Sequence, residues 1–253
     1  GLAMPVTTWA DTSITFEVPA IPGGPKQLLI TNAAGQTCAN GITVHVLDAG
    51  YHPPIVTVPD AAHPTIQSAI DAAADGTLII VAPGTYNESP IIYKNVKLQG
   101  MGAGDTVIDG RFFLSYLDDW LAKLQSIEFD GPEFVPPQVK EISRGQVITV
   151  VAKAGSFSSS FPPQVDGFTI TGARGEEGGG IYVNAHCQHL IISNNVIRSN
   201  GGGFGGGITI GKAYVGDNHN DHIRIHHNRV VNNGGISLAG GIGIFNGADH
   251  YEV

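Results

Sequence analysis

Charge is scarce in this chain. Only 14% of its 253 residues are Asp, Glu, Lys or Arg, and 13 Lys and Arg stand against 22 Asp and Glu. The formal charge of −9, with no basic run, excludes the usual footprint of a nucleic-acid binder or of a protein drawn to anionic membranes. An acidic polymer would need a local basic cleft, and none is visible as a run. Long apolar stretches are missing as well: nothing reaches the roughly 18 residues of a membrane-spanning helix. Cysteine is limited to Cys38 and Cys187, which fall in segments that read as different domains. They are expected as two separate thiols, not as a disulfide.

What the chain has instead is glycine and repetition. Thirty-five Gly and 15 Pro make up about a fifth of the residues, which suits a fold with tight corners at short intervals. Near the C-terminus one motif returns three times, as His189-Leu-Ile-Ile, His222-Ile-Arg-Ile and His250-Tyr-Glu-Val. Two copies run on through an Asn-containing turn (Asn194-Asn195, His227-Asn228) into a second short strand. Glycine clusters at Gly178–Gly180, Gly205–Gly207 and Gly240–Gly241 keep step with them. Such self-similarity marks units that stack and share one core. Each unit holds β segments of a few residues with no helix between them, so the expectation is an all-β coil of parallel strands. The spacing stretches between Ile210 and His222, which predicts a protruding loop over Gly211–Asp221.

Residues 1–47 read differently. Ser13-Ile-Thr-Phe-Glu-Val alternates, and Leu28-Leu-Ile-Thr, the turn at Asn32–Gly35 and Ile42-Thr-Val-His-Val suggest a hairpin and an edge strand. The run from Trp9 to Val46 resembles the second half of an IPT/TIG domain, an immunoglobulin-like β-sandwich. The resemblance rests on Asp11-Thr-Ser-Ile-Thr-Phe-Glu-Val-Pro, Leu29-Ile-Thr-Asn and Asn40-Gly-Ile-Thr-Val. Residues 48–57 read as a linker. From Pro64 to Gly76, Ile66, Ile70 and Ala73 or Ala74 share one helical face, with Pro64 suited to the first turn and Gly76 to the cap. Leu78-Ile-Ile-Val and Pro83-Gly-Thr-Tyr follow. This segment resembles the start of the pectate-lyase-like, right-handed parallel β-helix superfamily, in which a short helix covers the open end of the coil. The resemblance extends over residues 58–253. Within it, residues 111–144 break the pattern: Phe113, Leu114, Leu117, Trp120, Leu121 and Leu124 predict an inserted helix over about 112–126. The last rung reads as unfinished, which suggests part of a larger protein and a bare edge for end-to-end self-association.

The repeated residues admit two readings. His189, His222 and His250 should stack about 4.8 Å apart, one per rung, as a ladder of neutral imidazoles. A metal-binding stripe that also enlists His186 and His226 is the alternative. Asn195 and Asn228 should form an inward amide ladder. The catalytic candidates are Asp166, Arg174, Glu176 and Glu177, carboxylates and a guanidinium near one corner; paired carboxylates serve glycoside hydrolysis. Calcium is the one cofactor that the resemblance allows, held by carboxylates on neighbouring rungs as in pectate lyases. The lyase set of several Asp ligands with an Arg or Lys base does not map onto this sequence. A scaffold outside the cell or on its surface that binds carbohydrate or other surface components is therefore the first functional expectation. A polysaccharide-acting enzyme (lyase, hydrolase or epimerase), with a groove along the strands, is the second.

Overall fold

The computed structural model describes residues 2–131, 144–214 and 216–253. Two antiparallel pairs open the chain. β1 (Val6–Ala10) pairs with β2 (Ser13–Phe16), and β3 (Gly24–Leu28) with β4 (Ile42–Val46). β3 thus lies a few residues ahead of the strand expected at Leu28–Thr31: Leu28 ends β3, and Thr31 makes a single bridge to Thr37. β5 (Ile55–Val58) occupies the end of the segment read as linker and already pairs in parallel with the next strand. Its apolar Val56 and Val58 side chains reach the core, so pairing begins before the change in sequence texture.

From there the chain winds in circuits of three short strands. After helix α1 (Ile66–Ala72) come β6 (Leu78–Val81), β7 (Gly84–Tyr86) and β8 (Ile91–Ile92). The second circuit holds β9 (Lys97–Gly100), β10 (Thr106–Asp109) and β11 (Ile148–Val150). The third holds β12 (Gln164–Asp166), β13 (Thr169–Thr171) and β14 (Ile181–Val183). The fourth contains β15 (Ile191–Ser193), β16 (Val196–Arg198), the two-residue β17 (Gly201–Gly202) and β18 (Ile208–Ile210). The last contains β19 (Arg224–His226), β20 (Arg229–Val231), β21 (Gly234–Gly235) and β22 (Ile242–Ile244). Each strand pairs with its counterpart one circuit away, so three parallel sheets stack around one interior. The protein is mostly β, and this repeat-like stack of parallel sheets is compatible with a parallel β-helix.

Register explains the core. Ile79, Leu98, Val165, Ile192 and Ile225 face one another in consecutive strands of one sheet. Ile148, Ile181 and Ile208 do so in the second, and Ile108, Ile170 and Ile197 in the third. All eleven are buried. Burying a side chain of this size gains about 1.5–3 kcal/mol, which is how three-residue strands suffice. α1 closes the first circuit. Thr65 is its N-cap, in a capping box with Ser68, and Ile66, Ala69 and Ile70 are buried beneath it. Pro64 sits just before the cap, and Gly76 turns the chain after the helix with φ +86°.

The insertion begins with a 3₁₀ turn (Phe113–Tyr116) and α2 (Leu117–Ser126). Phe113, Trp120, Leu124, Ile127 and Phe129 form a second apolar cluster against Ile91 and Val151 on the coil's flank, but Leu114, expected on the same face, is exposed because the 3₁₀ turn points it outward. The remainder of the expected insertion, 132–143, lies outside the described residues. In the loop after β18, Tyr214, Gly216 and Asp217 are exposed while Lys212, Ala213, Asn218 and Asn220 are buried, so it is anchored at both ends and protrudes over fewer residues than the expected Gly211–Asp221. Among the described residues no helix is long and apolar enough to cross a membrane.

Candidate functional site, an arginine-lined groove

β10 ends in Asp109, whose buried carboxylate accepts hydrogen bonds from the backbone N–H of Arg111 at 3.0 Å and from its guanidinium. Burial pushes the Asp109 carboxyl up, but these bonds and the Arg111 charge outweigh it and hold it below the ordinary range. The anchor depends on Gly172, at φ +88°, where a Cβ would lie 2.5 Å from Asp109 Oδ1 and 2.8 Å from the Arg111 nitrogen. One circuit on, the chain leaves β13 and Arg174 N donates to Gly145 O at 2.8 Å. That fixes Arg174 beside Arg144, which pairs with Glu176 at 3.4 Å. Arg198, at the end of β16, comes from the next circuit.

These segments enclose two adjoining hollows. One, of about 270 Å³, is lined by Arg111, Phe113, Leu117, Arg144, Arg174 and Glu176. The other, of about 360 Å³, is lined by Arg111, Thr171, Arg174, Arg198 and Ser199. Arg111 and Arg174 belong to both, so the two form one groove. Four of the six arginines in the chain meet here. Asp109 and Glu176 neutralise two, while among the described residues the guanidiniums of Arg174 and Arg198 have no ion-pair partner. The mixture is two planar cations with no carboxylate partner among the described residues, an apolar wall from Phe113 and Leu117, and one exposed carboxylate. It can hold a carboxylate or sulfate by paired hydrogen bonds.

The other candidate residues fall in different places. Asp166 is fully buried; it lies beneath the β3–β4 hairpin and accepts from Thr43 Oγ1 at 2.8 Å, Ser193 Oγ at 2.6 Å and Asn194 Nδ2 at 2.7 Å. Glu177 turns inward, accepting from Lys212 Nζ at 3.1 Å and the Tyr182 hydroxyl at 3.0 Å. Burial, then the Glu177 charge, drives the Tyr182 phenol well above its usual value. Of the four catalytic candidates only Arg174 and Glu176 share the groove. Cys187 and Cys38 are free thiols, and burial raises that of Cys187.

His189, His222 and His250 do stack, with ring centroids 5.0 and 5.2 Å apart and planes within 11°. His186 belongs to a second stack, with His219 at 5.0 Å. His226 lies elsewhere, at the end of β19, edge-on to His227. Burial, then His222 and Arg224, lower the His189 pKa against the opposing charge of Asp221. Among the described residues no group of three or more His, Cys, Asp or Glu is placed to hold a metal ion. Asn195 and Asn228 form the amide ladder: Asn195 Nδ2 donates to Val165 O at 3.0 Å and to Asn228 Oδ1 at 3.1 Å. A second ladder, Asn200 with Asn233, repeats the same bonds. Its signal was present in the sequence, since each member follows a member of the first ladder by five residues. The groove had no such signal.

Compared with protein-family models, with curated proteins and with solved structures, the chain has no match.

Proposed function

We propose that the protein is a carbohydrate-binding scaffold that works outside the cell or on its surface, and that its ligands are acidic glycans. In this reading the coil is a right-handed β-helix of the pectate-lyase-like kind, and the N-terminal hairpins are part of an immunoglobulin-like sandwich. The single observation that carries the ligand class is the groove in which Arg174 and Arg198 have no ion-pair partner among the described residues, with an apolar wall beside Arg174, on a chain of net charge −9. Charged hydrogen bonds contribute about 1.5–3 kcal/mol each, so Arg174→Ala with Arg198→Ala should lower affinity by a hundredfold or more. The test is a glycan array probed with the full chain, comparing uronate-bearing and sulfated polymers with neutral ones at two salt concentrations. Equal binding to neutral glycans, or an unaltered double variant, overturns the proposal.

One observation favours a second reading as a polysaccharide-acting enzyme: Glu176 shares the groove with Arg174, which sets a carboxylate beside a cation that could hold a uronate. Incubation with pectin and alginate, with and without calcium, would then yield new unsaturated or reducing ends, lost in Glu176→Gln. Absence of products from the wild-type chain refutes it.

A further inference from the structure

On the sheet formed by β6, β9, β12, β15 and β19, the inward side chains are apolar, whereas the outward positions mix Leu78, Ile80 and Ile191 with polar and charged side chains. Gln99, Asp166, Ser193 and His226 stand in one outward row, in register from strand to strand. The β3–β4 hairpin lies across it. Polar side chains tie it down: Gln27 exchanges hydrogen bonds with the Asn194 amide at 2.7 and 3.1 Å, and Asn40 Nδ2 donates to the carbonyls of Asn195 and His227. Thr43 Oγ1 donates to Asp166, and His45 meets Gln99 at 2.7 Å. No residue of the hairpin belongs to either apolar core. An interface of this kind resembles one between separable partners, not the interior of a domain. Among the described residues the buried Gln164 Oε1 beneath it has no hydrogen-bond partner.

We propose that the hairpin Gly24–Val46 is an acid-released cover over this row, with His45 as the trigger. The hydrogen-bond directions fix its protonation state. Gln99 Nε2 donates to Thr43 O at 2.8 Å, so its Oε1 faces His45, and His45 Nε2 must carry a hydrogen. His45 Nδ1 then accepts from the Tyr51 hydroxyl at 2.6 Å. A second proton can go only to Nδ1. There it forces the hydroxyl to turn and leaves the phenolic hydrogen unsatisfied in a half-buried site. The ionisable groups that face the ring are Tyr51, stacked on it at 5.8 Å, and Lys97 and Asp166 of the sheet. Burial lowers the His45 pKa and Lys97 adds to this, against the Gln99 bond and Asp166. Tyr51 is pushed up to about 12 and stays neutral.

The covered state therefore binds the neutral ring, while a released hairpin takes the proton freely. Above about pH 6.5, the unperturbed histidine value, the cover is fully held; as pH falls below that value, protonation of the released form draws it open. What opens is a strip with a carboxylate, a serine hydroxyl and several amides, on a different sheet from the arginine groove.

Hydrogen exchange on the full chain at pH 7.5 and 5.0, corrected for intrinsic rates, tests this. Amides of β3 and β4 should lose protection at pH 5.0, on the order of tenfold for each unit by which covering depresses the His45 pKa. Those of β12 and β15 should keep theirs. His45→Gln, which can still donate to Gln99 but cannot titrate, should abolish the difference. Equal hairpin protection at both pH values in the wild type overturns the proposal. So does loss of protection in hairpin and coil together, or an acid response in His45→Gln equal to that of the wild type.

Discussion

Replacing Asn195 by alanine isolates the contribution of the amide ladder. Asn195 is fully buried, and its side chain makes three bonds. Oδ1 accepts from Phe168 N at 3.0 Å, and Nδ2 donates to Val165 O and Asn228 Oδ1. Phe168 and Val165 are themselves fully buried, so no water replaces the lost amide. Alanine orphans the Phe168 N–H, at about 1–3 kcal/mol, and removes two further hydrogen bonds, at about 0.5–1.5 kcal/mol each, a total of about 2–6 kcal/mol. Domains are held by only about 5–15 kcal/mol. At roughly 2–4 °C per kcal/mol for a chain of this size, melting should fall by about 4–24 °C. Asn228 bonds in the same way to Ile192 O at 2.7 Å, but it is half-buried and water can reach it. Asn228→Ala should therefore cost clearly less. Urea denaturation followed by far-UV circular dichroism measures both. An Asn195→Ala variant within about 0.5 kcal/mol of wild type, the range of ordinary surface changes, would refute the reasoning. So would a larger loss from Asn228→Ala.

Further outcomes follow from close approach and from titration. A Cβ at Gly179 would stand 1.8 Å from Gly206 O, in the next circuit, whereas at Gly201 its nearest neighbour is Ala173 O at 3.6 Å. Gly179→Ala should abolish soluble folded protein in an expression and melting assay, and Gly201→Ala should not; equal behaviour would contradict the contact. Burial lowers the pKa of His189 and of His226, so both are neutral in the folded chain at pH 7.5. A histidine whose pKa falls on folding costs stability once pH drops below its unfolded value of about 6.5. The melting temperature should be lower at pH 5 than at pH 7.5, and equal temperatures would exclude this.

Much of the coil could be read from residue order, because its contacts recur at a fixed offset. The positions of His189, His222 and His250, the matching Asn195 and Asn228, and the apolar face of Ile66 and Ile70 all carry a local or periodic signal. The helix around Trp120 announced itself by spacing alone. The groove was not legible, since Arg111, Arg144, Arg174 and Arg198 are scattered through the chain and only winding brings them together. Nor was the covering of Asp166. Its partner Thr43 lies 123 residues away, on a hairpin joined to the coil by hydrogen bonds, and pairing between polar groups leaves no hydrophobic pattern to detect. β5 escaped notice for a related reason: a four-residue strand preceded by two prolines looks like a connection until its parallel neighbour is known.

The four guanidiniums of the groove are contributed by three consecutive turns of the chain, and none by two adjacent residues. Their shared field is thus a property of winding. Slip one turn against the next by a single residue, and the same arginines would point to opposite sides of the wall. The proposed recognition of acidic ligands would then be lost with every cationic side chain still present, which makes the cleft a sensitive gauge of whether the coil has closed correctly.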